Sequence, residues 1–274
     1  MAWSVGSVSS LGLIAGNGVF PIEVAEAARR RGIKLIALAH QGETLPELEA
    51  QVDQLTWIKV GELQKIIDTL KSAGVERAAM AGGISRLRLA DSFAPDARAM
   101  KMLASITRWS DDAVLRAIAR EIESEGIPVI DPVTLMDDSI AKHGLMAGPD
   151  PDEKQLRDLD LAFAIARSLG AFDIGQSAAV RGGVVYAVEA AEGTDAALRR
   201  AAALSGKGLV VAKVAKPGQD LRFDRPAIGP ATIELLMEIG AATIGIEAGK
   251  CLILERERTL ALAQSSNLTV YGHA

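Results

Sequence analysis

Residues 11–21 have the sequence LGLIAGNGVFP, an apolar run that ends in Gly16-Asn17-Gly18 and is soon followed by Pro21. Such a run predicts a short buried strand, and the glycines predict a tight turn after it. Apolar residues then recur at helical spacing from Phe20 to Arg31, where Gly32 follows. Since proline favours the first turn of a helix and glycine its end, the stretch predicts a strand, a turn and a helix in succession.

The same alternation of apolar runs and helical patterns continues through the first half of the chain. We predict further strands at residues 33–39, 56–60 and 77–81, and helices at residues 62–72 and, as a pair, within 96–125. Strands that alternate with helices are typical of a parallel sheet covered by helices. Residues 1–136 are therefore interpreted as an N-terminal Rossmann-like α/β domain.

A second, smaller domain is predicted after a change in composition. Residues 137–153 lack a regular apolar pattern and contain Gly148-Pro149-Asp150-Pro151, which is typical of a linker. Beyond them, residues 178–181 and 184–189 predict a hairpin that turns at Gly182-Gly183. Residues 154–274 are therefore interpreted as a C-terminal mixed α/β domain, and the fold class as α/β.

The composition excludes several classes of protein. The chain has 274 residues, 49% of them hydrophobic, so it can bury a large core and disorder is not expected. A net charge of −5 and an aromatic content of only 4% argue against nucleic acid as a partner. The single Cys251 excludes an internal disulfide framework and suits a reducing cytoplasm. No apolar run reaches the roughly 18–20 residues of a membrane span, so we expect a cytoplasmic protein.

The turn Gly16-Asn17-Gly18 is a candidate phosphate site, because it can present backbone N–H groups at the start of the following helix. A dinucleotide fingerprint also needs a third glycine, where this chain has Pro21, and an acidic residue about 20 positions on, where it has Ala39-His40-Gln41. Nicotinamide binding is therefore disfavoured, whereas a nucleotide phosphate or base stays an open alternative. A plain connection between a strand and a helix explains the turn equally well.

The segment 213–230 is the part of the chain richest in candidate catalytic groups. Its residues Pro217, Gly218, Pro226 and Pro230 exclude a continuous helix, so a long loop is predicted. Two carboxylates, two lysines and two arginines occur within thirteen of its residues. This combination suits phosphate transfer, which needs oxygen ligands for Mg²⁺ or Mn²⁺ and cations beside the phosphate oxygens.

Within this loop, Asp220 and Asp224 are the leading candidate ligands of a divalent metal. Lys213 and Lys216 are candidates for holding phosphate oxygens, and Arg222 for a bidentate contact with phosphate. The alternative is that the two aspartates cap turns on the surface and that the cations are solvated.

A further acidic group follows the predicted hairpin, with Glu192 and Asp195 on either side of a helix start predicted at Thr194. Glu192 and Asp195 rank below Asp224 as metal ligands or as a base for water. An N-cap at Thr194 with acidic neighbours that complement the helix dipole explains the group equally well.

Four motifs follow one another over nearly the whole chain: LGLIAGNGVFP (11–21), DIGQS (173–177), VEAAEGTD (188–195) and KPGQDLRFD (216–224). Together they resemble the LpxI-type UDP-2,3-diacylglucosamine pyrophosphatases. Within these motifs, Gln176, Ser177, Thr194 and Gln219 are further candidates for substrate binding.

The resemblance implies a Mg²⁺-dependent hydrolase that converts UDP-2,3-diacylglucosamine to 2,3-diacylglucosamine 1-phosphate (lipid X) and UMP in lipid A biosynthesis. It implies a two-domain homodimer that makes transient, peripheral contact with the inner membrane to meet its lipid substrate. The acidic residue of the Arg-Phe-Asp motif is Asp224. We expect the nucleotide near residues 16–18 and Gly82-Gly83, and the pyrophosphate and metal at the loop 213–224.

Two other functions remain open from the sequence. A nucleotide-sugar transferase or an oxidoreductase could use the N-terminal layer, although its dinucleotide fingerprint is incomplete. A regulator that binds a nucleotide lipid without hydrolysing it is the non-catalytic alternative, and Asp220 and Asp224 would then be structural.

Overall fold

The computed structural model describes residues 8–85, 93–107, 109–136 and 138–274, and it shows an α/β protein. Contacts within the chain divide it into two units. The first comprises Met1–Asp137 together with Asp220–Asp224, and the second comprises Asp138–Gln219 with Arg225–Ala274. In the described part of the chain, no helix is both long enough and apolar enough to cross a membrane.

The first unit is built on a five-stranded parallel sheet with the order β3-β2-β1-β4-β5. Its strands are β1 (Ser10–Ala15), β2 (Lys34–His40), β3 (Gln54–Ile58), β4 (Arg77–Ala81) and β5 (Val129–Ile130). All of β1, and β2 beyond its first residue, are buried. Continuous apolar runs are what a parallel sheet covered on both faces requires.

Helices and two separate apolar cores cover the two faces of this sheet. The described helices are α1 (Phe20–Arg30), α2 (Leu63–Ser72), α3 (Ala97–Ala104) and α4 (Asp111–Ser124), with short 3-10 turns at Pro46–Gln51 and Pro132–Leu135. On one face, Val24 and Ala28 of α1 belong to the core that contains Leu11. On the other, Ile67 of α2 belongs to the core that contains Ile36.

The second unit is built on a six-stranded mixed sheet with the order β6-β13-β11-β9-β7-β8. These strands are β6 (Gly144–Ala147), β7 (Ser177–Arg181), β8 (Val184–Val188), β9 (Val210–Lys213), β11 (Thr243–Glu247) and β13 (Thr269–His273), while β10 (Ala227–Ile228) pairs with β12 (Leu252–Ile253). Its described helices are α5 (Glu153–Ala171), α6 (Thr194–Ser205), α7 (Pro230–Glu238) and α8 (Arg256–Ser265).

The predicted α/β class, with a parallel sheet followed by a mixed one, is confirmed. The predicted hairpin is also present, because β7 and β8 pair antiparallel around Gly182-Gly183. Both glycines have positive φ, and their N–H groups donate hydrogen bonds of 2.6 and 2.7 Å to the buried carboxylate of Asp158 on α5. The turn is therefore held by a charge-assisted pair of bonds as well as by its backbone conformation.

Two elements differ from the sequence interpretation. The segment expected to be a linker contains β6, which pairs antiparallel with β13 at the edge of the sheet; Asp137, where that segment begins, lies outside the described residues. This strand has only four residues and Leu145 is exposed, so no alternating pattern marked it. Helix α8 was not predicted, because its apolar residues cluster at 260–263 and do not recur at helical spacing.

The long helix α5 begins with a reciprocal capping pair, and its energetic contribution is testable. The Asp152 carboxylate accepts the Gln155 N–H, and the Gln155 side chain accepts the Asp152 N–H, both at 2.8 Å. We expect Asp152→Ala to lower the free energy of unfolding by about 1 kcal/mol, measured by urea denaturation. The control is Glu153→Ala, which removes the adjacent, exposed carboxylate and should cost less. Equal losses in the two variants would contradict the capping interpretation.

Candidate functional site

The strands β1 and β4 are adjacent and parallel, so their carboxyl ends lie side by side in the first unit. From β1 the sheet extends to β2 and β3 on one side and to β4 and β5 on the other. Connections that leave two adjacent parallel strands in opposite directions open a crevice at their carboxyl ends, and open α/β sheets bind ligands there. The sheet order therefore selects the turns that follow Ala15 and Ala81.

The turns after β1 and β4 touch through their main chains. The Gly16 N–H donates to the Ala81 carbonyl and the Asn17 N–H to the Gly83 carbonyl, both at 2.8 Å. A Cβ atom on Gly16 would lie 2.3 Å from the Gly83 oxygen, and one on Gly82 would lie 2.4 Å from the Asn17 oxygen. Only glycine fits at residues 16 and 82, because any side chain would force the two turns apart.

Helix α1 starts at this crevice without a side-chain cap. Its N-cap residue is Val19, which has no oxygen with which to accept an N–H, and Pro21 occupies the first turn. Backbone N–H groups at an uncapped helix start, together with the positive end of the helix dipole, favour an anion such as phosphate. Gly18, with a φ of +78°, leads the chain into this helix with open space around its Cα.

The end of β2 closes one side of the crevice with polar groups. His40 Nδ1 lies 2.8 Å from the Ala15 carbonyl oxygen, which also accepts the Thr44 hydroxyl at 2.7 Å. Burial lowers the pKa of His40, although that backbone contact and the nearby Glu43 act in the opposite direction. The imidazole is therefore neutral near pH 7 and fixes the strand end in place.

Glu43 joins the three turns around the crevice. One of its carboxylate oxygens, Oε2, accepts hydrogen bonds from the Asn17 side-chain amide and from the Ser85 N–H, each at 3.2 Å. Asn17 in turn accepts the Gly83 N–H through Oδ1 at 3.2 Å. The structure thus brings together the predicted residues Gly16, Asn17, Gly18, Gly82 and Gly83, and adds the acidic residue that the sequence interpretation missed.

A groove of about 450 Å³ also occurs in the first unit, but it lies where β2 and β3 begin and not at the carboxyl ends of the strands. It is lined by Arg29, by residues at the beginning of β2 and by Asp53. Ligand sites of parallel sheets lie at the carboxyl ends of the strands. We therefore assign the candidate site to the crevice at Gly16 and not to this groove.

In the second unit, the predicted residues Lys213, Gln176 and Ser177 lie at the junction of β9 and β7. Ser177 pairs in register with Lys213, and the Val214 N–H donates to the Gln176 carbonyl at 2.9 Å. The Ser177 hydroxyl is buried, and no described residue forms a hydrogen bond with it. Lys213 Nζ donates to the Ala227 carbonyl at 2.8 Å, which holds its charge at the base of the loop.

The loop after β9 begins on a buried carboxylate. Glu247 Oε2 accepts the Ala215 N–H at 2.9 Å, while Oε1 pairs with Lys250 at 2.9 Å. Burial opposes ionisation, but these donors hold the pKa of Glu247 below its usual value. Further along the loop, Lys216 Nζ pairs with Asp173 at 2.7 Å. The backbone N–H of Lys216 donates a hydrogen bond to the side-chain oxygen of Gln219. The loop is therefore ordered by charged anchors and is not a free surface segment.

Glu192, Thr194 and Asp195 surround the start of α6. Glu192 pairs with Arg200 at 2.6 Å, and that hydrogen bond lowers the pKa of Glu192. The N-cap position belongs to Gly193, with a φ of +82°, so the prediction of Thr194 as N-cap is wrong by one residue. Asp195 lies in the first helical turn, where its charge complements the helix dipole.

Asp220 lies in the first unit, in a network with arginines. Its carboxylate pairs with Arg222 at 2.9 Å and with Arg116 at 3.6 Å. The backbone N–H of Asp220 donates a hydrogen bond to the Asp112 carboxylate at 2.8 Å. Burial raises the pKa of Asp220, but the hydrogen bonds from Arg222 outweigh it and the pKa lies below its usual value. Asp220 is thus ionised and held by cations, an arrangement that positions the segment 220–224.

Arg222 and Phe223 fasten this segment to the first unit. The Arg222 guanidinium also pairs with Glu123 at 3.0 Å and stacks over the Phe223 ring at 4.6 Å. Phe223 is buried in the same apolar core as Ile67. The Asp224 N–H donates to the Asp220 carbonyl at 3.3 Å, so Asp224 follows directly on a turn whose shape is fixed.

Comparison with known proteins covers both units. Residues 10–139 match the family model described as the LpxI N-terminal domain, and residues 142–271 match the LpxI C-terminal domain. A relative from Caulobacter vibrioides, named UDP-2,3-diacylglucosamine pyrophosphatase LpxI, is 37% identical in an alignment of 273 positions that covers 96% of each chain. The chain belongs to the LpxI family. The resemblance found in the four sequence motifs is thereby confirmed.

Two solved structures show a weak likeness to this LpxI-family chain. A pyruvate carboxylase from Rhizobium etli is 17% identical with a TM-score of 0.30, and the likeness covers 60% of this chain but 13% of that one. A leucoanthocyanidin reductase from Vitis vinifera is 20% identical with a TM-score of 0.27, over 44% and 48% of the two chains. Likenesses at these scores carry no argument about fold or function.

A divalent metal fits this LpxI-family chain only in a limited way. Among the residues that the structure describes, no group of three or more His, Cys, Asp or Glu side chains is arranged to hold an ion. Asp220 and Glu192, both chosen as ligands from the sequence, each pair with arginine. Mg²⁺ is commonly held by one or two carboxylates together with substrate phosphates and water. A substrate that carries phosphates therefore makes a complete protein cage unnecessary.

The contact between the two turns provides a matched test, because Gly18 and Gly82 both have positive φ but only Gly82 is sterically confined. Gly18→Ala should cost about 1–2 kcal/mol of unfolding free energy, from its left-handed backbone alone. Gly82→Ala should cost about 1–3 kcal/mol more, because its Cβ meets the Asn17 main chain. Urea denaturation of both variants measures the difference, and a smaller loss for Gly82→Ala would contradict the close approach.

Proposed function

We propose that this chain hydrolyses the pyrophosphate of UDP-2,3-diacylglucosamine to 2,3-diacylglucosamine 1-phosphate and UMP. The observation that carries the proposal is the match to the Caulobacter vibrioides pyrophosphatase at 37% identity over 96% of both chains. The family models for both LpxI domains support it, because they span residues 10–139 and 142–271. A hydrolase of this class belongs to lipid A biosynthesis.

We assign the nucleotide end of this substrate to the crevice at Gly16. The start of α1 at Val19 has no side-chain cap and presents the positive end of the helix dipole to a phosphate. Gly16 and Gly82 bring the main chains of the two turns into direct contact, and Gly18 and Gly83 beside them are exposed. A nucleoside diphosphate sugar has the charge and shape that such a site takes.

The reaction itself needs few groups from the protein. The oxygen of water bonds to the phosphorus on the sugar side, the bridging P–O bond breaks, and the electron pair leaves with UMP. Cationic side chains stabilise the charge that develops on the phosphate oxygens. Lys213 and Lys216, in the loop between β9 and Asp224, are the cations that we assign to this role. A bound Mg²⁺ or Mn²⁺ would supply further neutralisation of the diphosphate.

Asp224 is the carboxylate that we assign to the reaction, as the acidic residue of the Arg-Phe-Asp motif. The arginine network holds Asp220 in place, and the turn from Asp220 to Asp224 then sets where the second carboxylate begins. Asp220 and Arg222 are therefore positioning residues in this proposal. Homodimer formation and transient contact with the inner membrane are further parts of it, supported by the family resemblance alone.

The role of Asp224 is tested by Asp224→Asn. We expect the release of UMP from UDP-2,3-diacylglucosamine to fall by a factor of about 100 or more, because an amide neither accepts a proton nor neutralises a metal. Binding of UMP should change little. The control is Asp150→Asn, which removes an exposed carboxylate from a surface turn. Unchanged turnover in Asp224→Asn would remove this residue from the mechanism.

Metal dependence is tested in the unaltered protein. EDTA should abolish UMP release, and excess Mg²⁺ or Mn²⁺ should restore it, if a divalent cation neutralises the diphosphate. Turnover that ignores the chelator would contradict metal-assisted hydrolysis. Tight binding of the substrate without any release of UMP would favour a regulator that binds a nucleotide lipid.

A further inference from the structure

Glu43 has two carboxylate oxygens in different surroundings. Oε2 accepts hydrogen bonds from Asn17 and from the Ser85 N–H. Oε1 is buried, and no described residue donates a hydrogen bond to it. Glu43 as a whole is only 7% exposed, so water does not solvate that oxygen. Buried polar atoms nearly always have a partner, and an exception of this kind requires a physical explanation.

The position of Glu43 in the fold suggests the missing partner. Strand β2 ends at His40, and a turn then brings the chain back, with the Glu43 N–H donating to the His40 carbonyl at 3.1 Å. The carboxylate thereby reaches Asn17, in the turn after the neighbouring strand β1. In nucleotide-binding parallel sheets, an acidic side chain at the end of the second strand accepts a ribose hydroxyl, while the phosphate lies at the first helix.

The chemistry of the crevice restricts what can bind to Oε1. The partner must be a hydrogen-bond donor, because a phosphate oxygen would be repelled by the carboxylate. A metal ion at Oε1 would have to take most of its ligands from the substrate and water, since the described residues contain no group of three acidic, His or Cys side chains suited to one. His40 is directed to the Ala15 carbonyl through Nδ1 and stays neutral, so it supplies no counter-charge.

We propose that Glu43 Oε1 accepts a hydrogen bond from a ribose hydroxyl of the bound uridine nucleotide and so selects ribonucleotides over deoxyribonucleotides. This inference rests on the proposed function and extends it from the phosphate to the sugar. The phosphate lies at the start of α1 and the ribose at the end of β2, on adjacent strands. Because Oε1 is buried in this structure, binding of the ribose requires the turn at residues 82–85 to move. Ligands commonly induce local loop movements of this kind.

The variant that tests this is Glu43→Gln. Two N–H donors face the Oε2 position, so the amide oxygen stays there and the amide NH₂ replaces Oε1. An acceptor with negative charge thus becomes a neutral donor without loss of the Asn17 contact. The variant should unfold at about the same temperature as the unaltered protein, because one buried polar atom without a described partner is exchanged for another.

The measurement is the dissociation constant of UMP, 2′-deoxy-UMP and 3′-deoxy-UMP, by calorimetry. The unaltered protein should prefer UMP over one deoxynucleotide by about tenfold to a hundredfold, the size of a hydrogen bond to a charged group. Glu43→Gln should lose most of that preference. The matched control is Glu62→Gln, which removes another acidic charge near His40 but touches neither Asn17 nor Ser85, and should keep it.

Three results would overturn the inference: no preference for UMP in the unaltered protein, the same preference in Glu43→Gln, or no binding of UMP. The second result includes a uniform loss of affinity for all three nucleotides in Glu43→Gln, which would favour a base N–H as the donor to Oε1 in place of the ribose. Hydrolysis of UDP-2,3-diacylglucosamine by the same preparations decides the proposed function separately. A chain that hydrolyses it without any Glu43-dependent preference keeps its function and loses this assignment.

Discussion

The main-chain contact between the turns after β1 and β4 constrains everything else at the candidate site. With Gly16 and Gly82 in direct contact, the carboxyl ends of two adjacent strands meet without intervening side chains. That contact places Asn17 beside Gly83 and within reach of Glu43, and it leaves the start of α1 uncovered. A larger residue at either glycine would separate the strand ends and remove the geometry that favours a phosphate.

The loop that follows β9 is held by hydrogen bonds and ion pairs of charged side chains, and not by close contacts between main chains. Glu247 holds its first residues and Lys216 pairs with Asp173 in the second unit, whereas Asp220 and Arg222 belong to a network in the first. Each of these groups is satisfied by a partner of opposite sign. Such pairs add modest stability where they are exposed. Here they restrict the conformations of a loop that has two prolines and no helix or strand from residue 214 to 226. The loop is therefore ordered by these ion pairs together with the burial of Phe223.

Periodic features could be predicted from the sequence, and features that depend on three-dimensional proximity could not. The parallel sheet follows from apolar runs at residues 11–15, 33–39 and 77–81, and the hairpin from Gly182-Gly183. Glu43 was missed because a dinucleotide fingerprint is a spacing rule, while here a turn after His40 returns the acid to the strand end. Asp220 and Asp224 were chosen from the charges and prolines of their loop, and Glu192 ranked below Asp224 as part of a separate acidic group. Sequence could not show that Asp220 and Glu192 each pair with an arginine.

Phe223 has a further consequence for how the protein is made. Its ring completes an apolar core whose other described members all lie between Ile14 and Val129, so the first unit is assembled from two distant parts of the polypeptide. Removing a buried phenyl ring typically costs about 3–5 kcal/mol. During translation, the N-terminal half therefore leaves the ribosome with an incomplete interior. It reaches its final stability only after most of the second unit has been synthesised, and a gene fragment that stops near residue 136 would encode a weakened product.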